Sequence, residues 1–192
     1  MPVSNPARTL FGPSAVVERT VAALNAAGPP ARLDHHAELA APFRAVLRDA
    51  GEPGSLAGIE AETAALAAVL DELYAIFAAP DEAAAVARLN AALARHTAPL
   101  RLVAEPGAAW HLHADRPGDE TWAGWFAASS LVGLAVHTTE HGAPAFGVCA
   151  AHGCIHVFAQ TGPGRPRTTC SPRCGSRVRQ AELRARRRSA DR

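Results

Sequence analysis

Four cysteines stand at Cys149-x4-Cys154-x15-Cys170-x3-Cys174, and the 192-residue chain has no others. Two close pairs divided by about fifteen residues is a zinc-site spacing. Each pair sets two thiolates on one turn. The interval between the pairs is long enough for a hairpin, with IHVF (155–158) predicted as its first strand and TGPG (161–164) as its turn. Four thiolates close the tetrahedron of Zn²⁺ and leave no open position, so one structural ion is expected. From Cys149 onward the only sizeable aliphatic or aromatic side chains are Ile155, Val157, Phe158, Val178 and Leu183. Such a segment cannot fold on its own core. Metal binding would supply the missing free energy, on the order of 10 kcal/mol.

The second cysteine pair opens a helix. Ser171 is a good N-cap and Pro172 suits the first helical position. Cys174 falls in the first turn, where the helix dipole and free amides favour a thiolate. In GSRVRQAELRARRR, Arg177, Arg184 and Arg188 share one face at i, i+7 and i+11, while Val178, Ala181 and Ala185 share another. Arg165, Arg167 and Arg173 enlarge the basic surface, and Arg179 lies near the cysteines. Guanidinium forks match phosphate oxygens and the O6/N7 edge of guanine.

The charge is divided accordingly. Residues 1–148 hold nine Arg against sixteen acids, net −7; residues 149–192 hold ten Arg against two acids, net +8. A basic tail on an acidic body points to a polyanionic partner. Double-stranded DNA is the favoured one and RNA a further possibility; that Phe158 is the tail's only aromatic platform for unpaired bases argues against single-stranded targets. The chain has no lysine, which a GC-biased genome explains as well as function does. The rival reading is a protein-interaction or small-molecule-sensing protein in which the finger is only a structural clip. No heptad seam declares a dimer, and the oligomeric state stays open.

The body that carries this tail reads as mainly α. Of its apolar residues 45 across the chain are alanine, which favours helix and buries little area each. Val17, Val21 and Leu24 make one short stripe, ended by Gly28-Pro29-Pro30. Phe43, Val46 and Leu47 make another, ended by Gly51 and Pro53. Leu66, Val69, Leu70, Leu73 and Phe77 make the longest. Pro80 stops that helix and Asp81 can cap the next, which carries Val86, Leu89 and Leu93. Residues 100–114 predict a hairpin around Glu105-Pro106-Gly107. A last helix is expected from about Glu120 to Glu140, with Trp122, Trp125, Phe126 and Val136 inward, and 141–147 as a linker. No apolar run reaches the ~18 residues a spanning helix needs, and the first residues lack a signal-peptide pattern, so a soluble cytoplasmic protein is expected.

The nine histidines add little. His137 and His141 are four apart, but HTTEH is not HExxH. His152 and His156 could each displace a cysteine as ligand, though four cysteines make that unnecessary. His35, His36, His111 and His113 read as exposed polar positions. Trp110, Trp122 and Trp125 read as core, or as the lining of a pocket. No Ser-His-Asp arrangement, Walker A loop or Gly-x-Gly-x-x-Gly is present, and a closed zinc site offers no catalytic position, so no enzyme is expected.

With CGSR at 174–177 the tail resembles the CGNR zinc-finger family. Cys149, Cys154, Cys170 and Cys174 match its four ligands, Gly175 and Arg177 match the Gly and Arg of the name, and Phe158 matches a hairpin aromatic. Ser176 stands where the family has Asn. VVERTVAALNAA, LDELYAIF, AAVARLNAAL and the hairpin at 100–113 are similar to the helical ABATE domain that usually precedes this finger. The resemblance implies a stress-induced transcription regulator: DNA binding by the finger, and ligand sensing by the helical part. The expected architecture is a mainly α domain with a small β-hairpin over 1–145. A treble-clef-like or ribbon-like Zn(Cys)4 finger with a basic helix follows over 146–192.

Overall fold

The structure is a computed structural model that describes residues 13–28, 38–52, 56–104, 110–116 and 121–190. His35, His36, Pro29, Pro30, Pro53, the Glu105-Pro106-Gly107 turn and Glu120 fall outside those residues.

Helix α1 (Pro13–Ala27) buries Val17, Ala23 and Leu24, and α2 (Ala40–Asp49) buries Ala40, Phe43 and Leu47. A 3₁₀ turn at Ile59–Glu62 leads into α3 (Thr63–Phe77). All five residues of its predicted stripe are buried, joined by Ala67 and Ile76. Helix α4 (Glu82–His96) begins on Asp81, whose carboxylate accepts from the Ala84 N–H at 2.8 Å. Its inward stripe is Ala85, Leu89 and Ala92, so Val86, expected inward, lies outward. The alanines let α4 sit close, and the larger valine is displaced to the rim.

Helix α5 (Trp122–His141) packs against α1, α3 and α4 and forms the centre of the body. Thr121 caps it by accepting from the Gly124 N–H at 3.1 Å, and Gly142 at φ +72° ends it. Phe126 is fully buried and meets Phe43 edge-on, with ring centroids 4.9 Å apart. Such an arrangement contributes about 1 kcal/mol beyond area burial. Val136 does not point inward as predicted. The buried residue at that level is His137, one position on. Trp122 and Trp125 are half-buried against the core. Trp110 is exposed and takes no part in it.

Strands β1 (Arg101–Val103) and β2 (His111–His113) form the predicted antiparallel hairpin, with Leu102 opposite Leu112. Its faces are the reverse of the amphipathic expectation. Leu102 and Leu112 are exposed, whereas His113, expected in solvent, is half-buried and bonds Asp115 at 2.7 Å. Arg101 holds the other Asp115 oxygen at 3.0 Å. The inward face is tolerable because its charges are matched.

The finger's hairpin is also placed differently. Strand β3 (Phe146–Val148) lies in the segment expected to be a linker, and pairs with β4 (Val157–Ala159) in register Gly147 to Phe158. The first cysteine pair is therefore the turn of this hairpin, and TGPG is irregular chain leading to the second pair. The partner strand comes from before the cysteines because Phe146 and Val148 can pack on α3 while Val157 and Ala159 enter the main core. Helix α6 (Pro172–Ala190) completes the chain. Among the described residues no helix is long and apolar enough to cross a membrane.

Candidate metal centre

The β3–β4 turn is tight because Cys154 N–H bonds Ala151 C=O at 2.8 Å and Cys149 N–H bonds His156 C=O at 2.9 Å. Gly153 supplies the φ of +71° that the turn requires. Cys170 and Cys174 arrive from the other side, at the start of α6. There the Ser171 hydroxyl accepts from the Cys174 N–H at 3.2 Å, the predicted N-cap. Cys170 N–H in turn points at Cys149 Sγ, 3.4 Å away.

The four sulfurs lie within 4.8 Å of one another, and none is in a disulfide. Cys170 to Cys174 is 3.6 Å, Cys154 to Cys170 is 3.7 Å and Cys154 to Cys174 is 3.9 Å. A tetrahedron with Zn–S bonds of about 2.3 Å has edges of about 3.8 Å. The cage is therefore of zinc size, and it is built from the ligand type zinc prefers. The thiol acidities agree. The Ser171 hydroxyl and neighbouring thiols bring Cys174 down to about 7, whereas burial and the same neighbours push Cys170 up to about 12 and raise Cys154. Without a cation one thiol ionises easily and its neighbours resist. A divalent cation removes that conflict and lets all four act as thiolates.

The finger's own apolar support is small: Cys149, Ala151 and Cys174, backed by Val178. Two arginines bind its loops. Arg167 donates to the carbonyls of Thr169 and Cys170, at 2.9 and 2.8 Å. Arg177 reaches from α6 to the His152 carbonyl at 2.7 Å, tying the helix to the first turn. Ser176 accepts from Arg179 at 2.9 Å and itself donates to the Pro172 carbonyl at 3.2 Å. Gly175 leaves room between Arg179 and Thr169, whose atoms a Cβ would meet at 3.3 and 3.4 Å. His152 and His156 are exposed and serve the site through backbone groups rather than their rings. His137 and His141 stack, with centroids 4.2 Å apart, and each is engaged with a backbone carbonyl. Among the described residues the cysteine quartet is the one group of three or more side chains placed to hold a metal.

Beyond Val178 every α6 side chain described is exposed. At 1.5 Å per residue the nineteen-residue helix is about 28 Å long. It carries seven arginines against one acid, Glu182. Arg173, Arg177, Arg184 and Arg188 share a face, with Arg179 on the opposite flank. The side chains of Arg165, Arg173, Arg184 and Arg188 make no hydrogen bond or ion pair among the described residues.

Three residues dock the finger on the body: Asn25 and Tyr74, which sequence reasoning did not single out, and His137, which it weighed only as a metal ligand. Asn25 of α1 pairs with both backbone groups of Val157, at 2.8 and 3.1 Å. Tyr74 of α3 donates to the Ile155 carbonyl at 3.0 Å, and His137 bonds the Gln160 carbonyl at 2.7 Å. No local spacing marks them, because their partners lie 23 to 132 residues away.

A thiolate pair in a hairpin turn facing a second pair at a helix N-terminus defines a treble-clef-like zinc finger with one structural ion. Residues 146–187 match the family model of the CGNR zinc finger. No curated protein matches the chain.

Proposed function

We propose that this is a zinc-dependent DNA-binding regulator of transcription, cytoplasmic and of the stress-response type, with the helical ABATE-like part as its regulatory body and no reaction of its own. The observation that carries the reading is α6. The helix is rooted in the metal site, projects free of the core, and bears guanidiniums, those of Arg173, Arg184 and Arg188, that have no side-chain partner among the described residues. A rigid basic helix of this length can lie in a groove or along a phosphate backbone, and arginine supplies both phosphate and base-edge contacts. Arg167 and Arg177 tie the finger's loops in the free protein, and Arg179 bonds Ser176 on its own helix. Arg184 and Arg188, with Arg165 and Arg173, are the candidates for contact with DNA.

The test is the salt dependence of duplex binding in variants. Arg184→Ala and Arg188→Ala should each weaken binding and reduce the slope of log K against log salt by about 1. Unchanged slopes in both would remove this face of α6 from the interface.

A further inference from the structure

We infer that the helical body holds a binding site for a small neutral ring compound bearing an acceptor oxygen, in the cavity between α1, β2 and α5. The site does not rest on the DNA reading. Its volume is about 110 Å³, and a dry apolar cavity of about 150 Å³ accepts benzene. The size thus suits one ring, with substituents emerging through the open side. Val16, Leu112, Trp125, Val132 and Val136 make its walls.

Its polar members decide the ligand's charge. Asp115 lines the cavity, but its two oxygens are taken by His113 and Arg101. Behind the wall stands Arg19, which is fully buried, stacks on Trp125 at 4.5 Å and is paired with Glu52. Among the described residues the charged side chains that line or back the cavity are ion-paired, Asp115 with Arg101 and His113 and Arg19 with Glu52, and the one donor left over is the buried Arg19 Nε, so a charged ligand would lose hydration without gaining a free counter-ion. Ser129 provides the hydrogen bond. Its oxygen accepts from Arg19 at 2.6 Å, while its own proton reaches only the Phe126 carbonyl, at a long 3.3 Å. A ligand oxygen would be a better acceptor, and the guanidinium behind the hydroxyl strengthens it as a donor.

The position matters because α1 and α5 also grip the finger, through Asn25 and His137. The two helices touch at the cavity, where a Cβ on Gly133 would lie 2.6 Å from Val16 Cγ1. A molecule seated there bears on both helices at once.

The test is fluorine NMR of para-fluorobenzyl alcohol titrated with the zinc-loaded full chain, with para-fluorobenzoate in parallel. The alcohol should show saturable line broadening and bind at least about tenfold more tightly than the benzoate. Val136→Trp and Leu112→Trp, both at exposed wall positions, should each weaken it by about tenfold or more. Val86→Trp, on the exposed side of α4, should leave it unchanged, with circular dichroism showing that all three variants fold. Absent saturation, equal binding of the benzoate, or binding that survives both cavity substitutions would overturn the assignment.

Discussion

Leu70 of α3 and Cys174 of α6 are both buried, and for different reasons. Leu70 is inside because removing its side chain from water is favourable, and its neighbours Phe43, Leu73 and Phe126 are there for the same reason. Cys174 is inside because three other sulfurs surround it. The body is held by area, the finger by coordination. The lesson lies at the boundary, where β4 belongs to both: Val157 and Ala159 are in the main core, while the first cysteine pair lies just before the strand. The finger is therefore seated on the body through its hairpin, and only α6 is left to project.

Zinc removal should produce the largest effect that separates the two regions. Chelation, or Cys174→Ala, removes folding free energy on the order of 10 kcal/mol from the finger. Hydrogen exchange should show protection lost over 149–190 and kept in α3 and α5. Loss in both regions would mean that the body also depends on the metal. Phe126→Ala is the converse experiment, with an expected cost of about 3–5 kcal/mol by denaturant unfolding, because it empties the contact with Phe43. Gly133→Ala should cost about 1–3 kcal/mol, since Val16 must move to admit the methyl group. Neither substitution touches the thiolates, so zinc stoichiometry should stay at one per chain.

A smaller effect should appear in the docking contacts. Burial lowers the His137 pKa below its ordinary value of 6.5, and its Nδ1 is buried without a partner. The native state therefore holds the neutral ring, and the unfolded chain takes up the proton first. The resulting stability is present above about 6.5 and is lost as pH falls toward the lower native value. Unfolding midpoints between pH 7 and 5 should drop, and His137→Phe should flatten that decline. An equal decline in the variant would assign it to other groups.

The cysteine quartet, the Ser171 cap and the α3 stripe were legible because each depends on residues a few positions apart. What could not be read had long-range causes. The place of β3 depends on what packs on α3, and Asn25 finds Val157 only after folding. The reversal of the β1–β2 hairpin follows from Asp115 drawing both Arg101 and His113 inward. Alternation in the sequence gave the strands but not which face looked in. Alanine-rich helices made the same trouble in α4 and α5, where Val86 and Val136 were better inward candidates by hydropathy than the residues that packing selected.

The central claim is that zinc sets a free basic helix outward to meet DNA. Fluorescence anisotropy of the zinc-loaded chain on a random-sequence duplex, at about 50 and about 200 mM salt, tests it most directly. The account predicts binding at the lower salt that collapses at the higher and disappears when zinc is chelated. No binding at the lower salt, or binding indifferent to both salt and zinc, would contradict it.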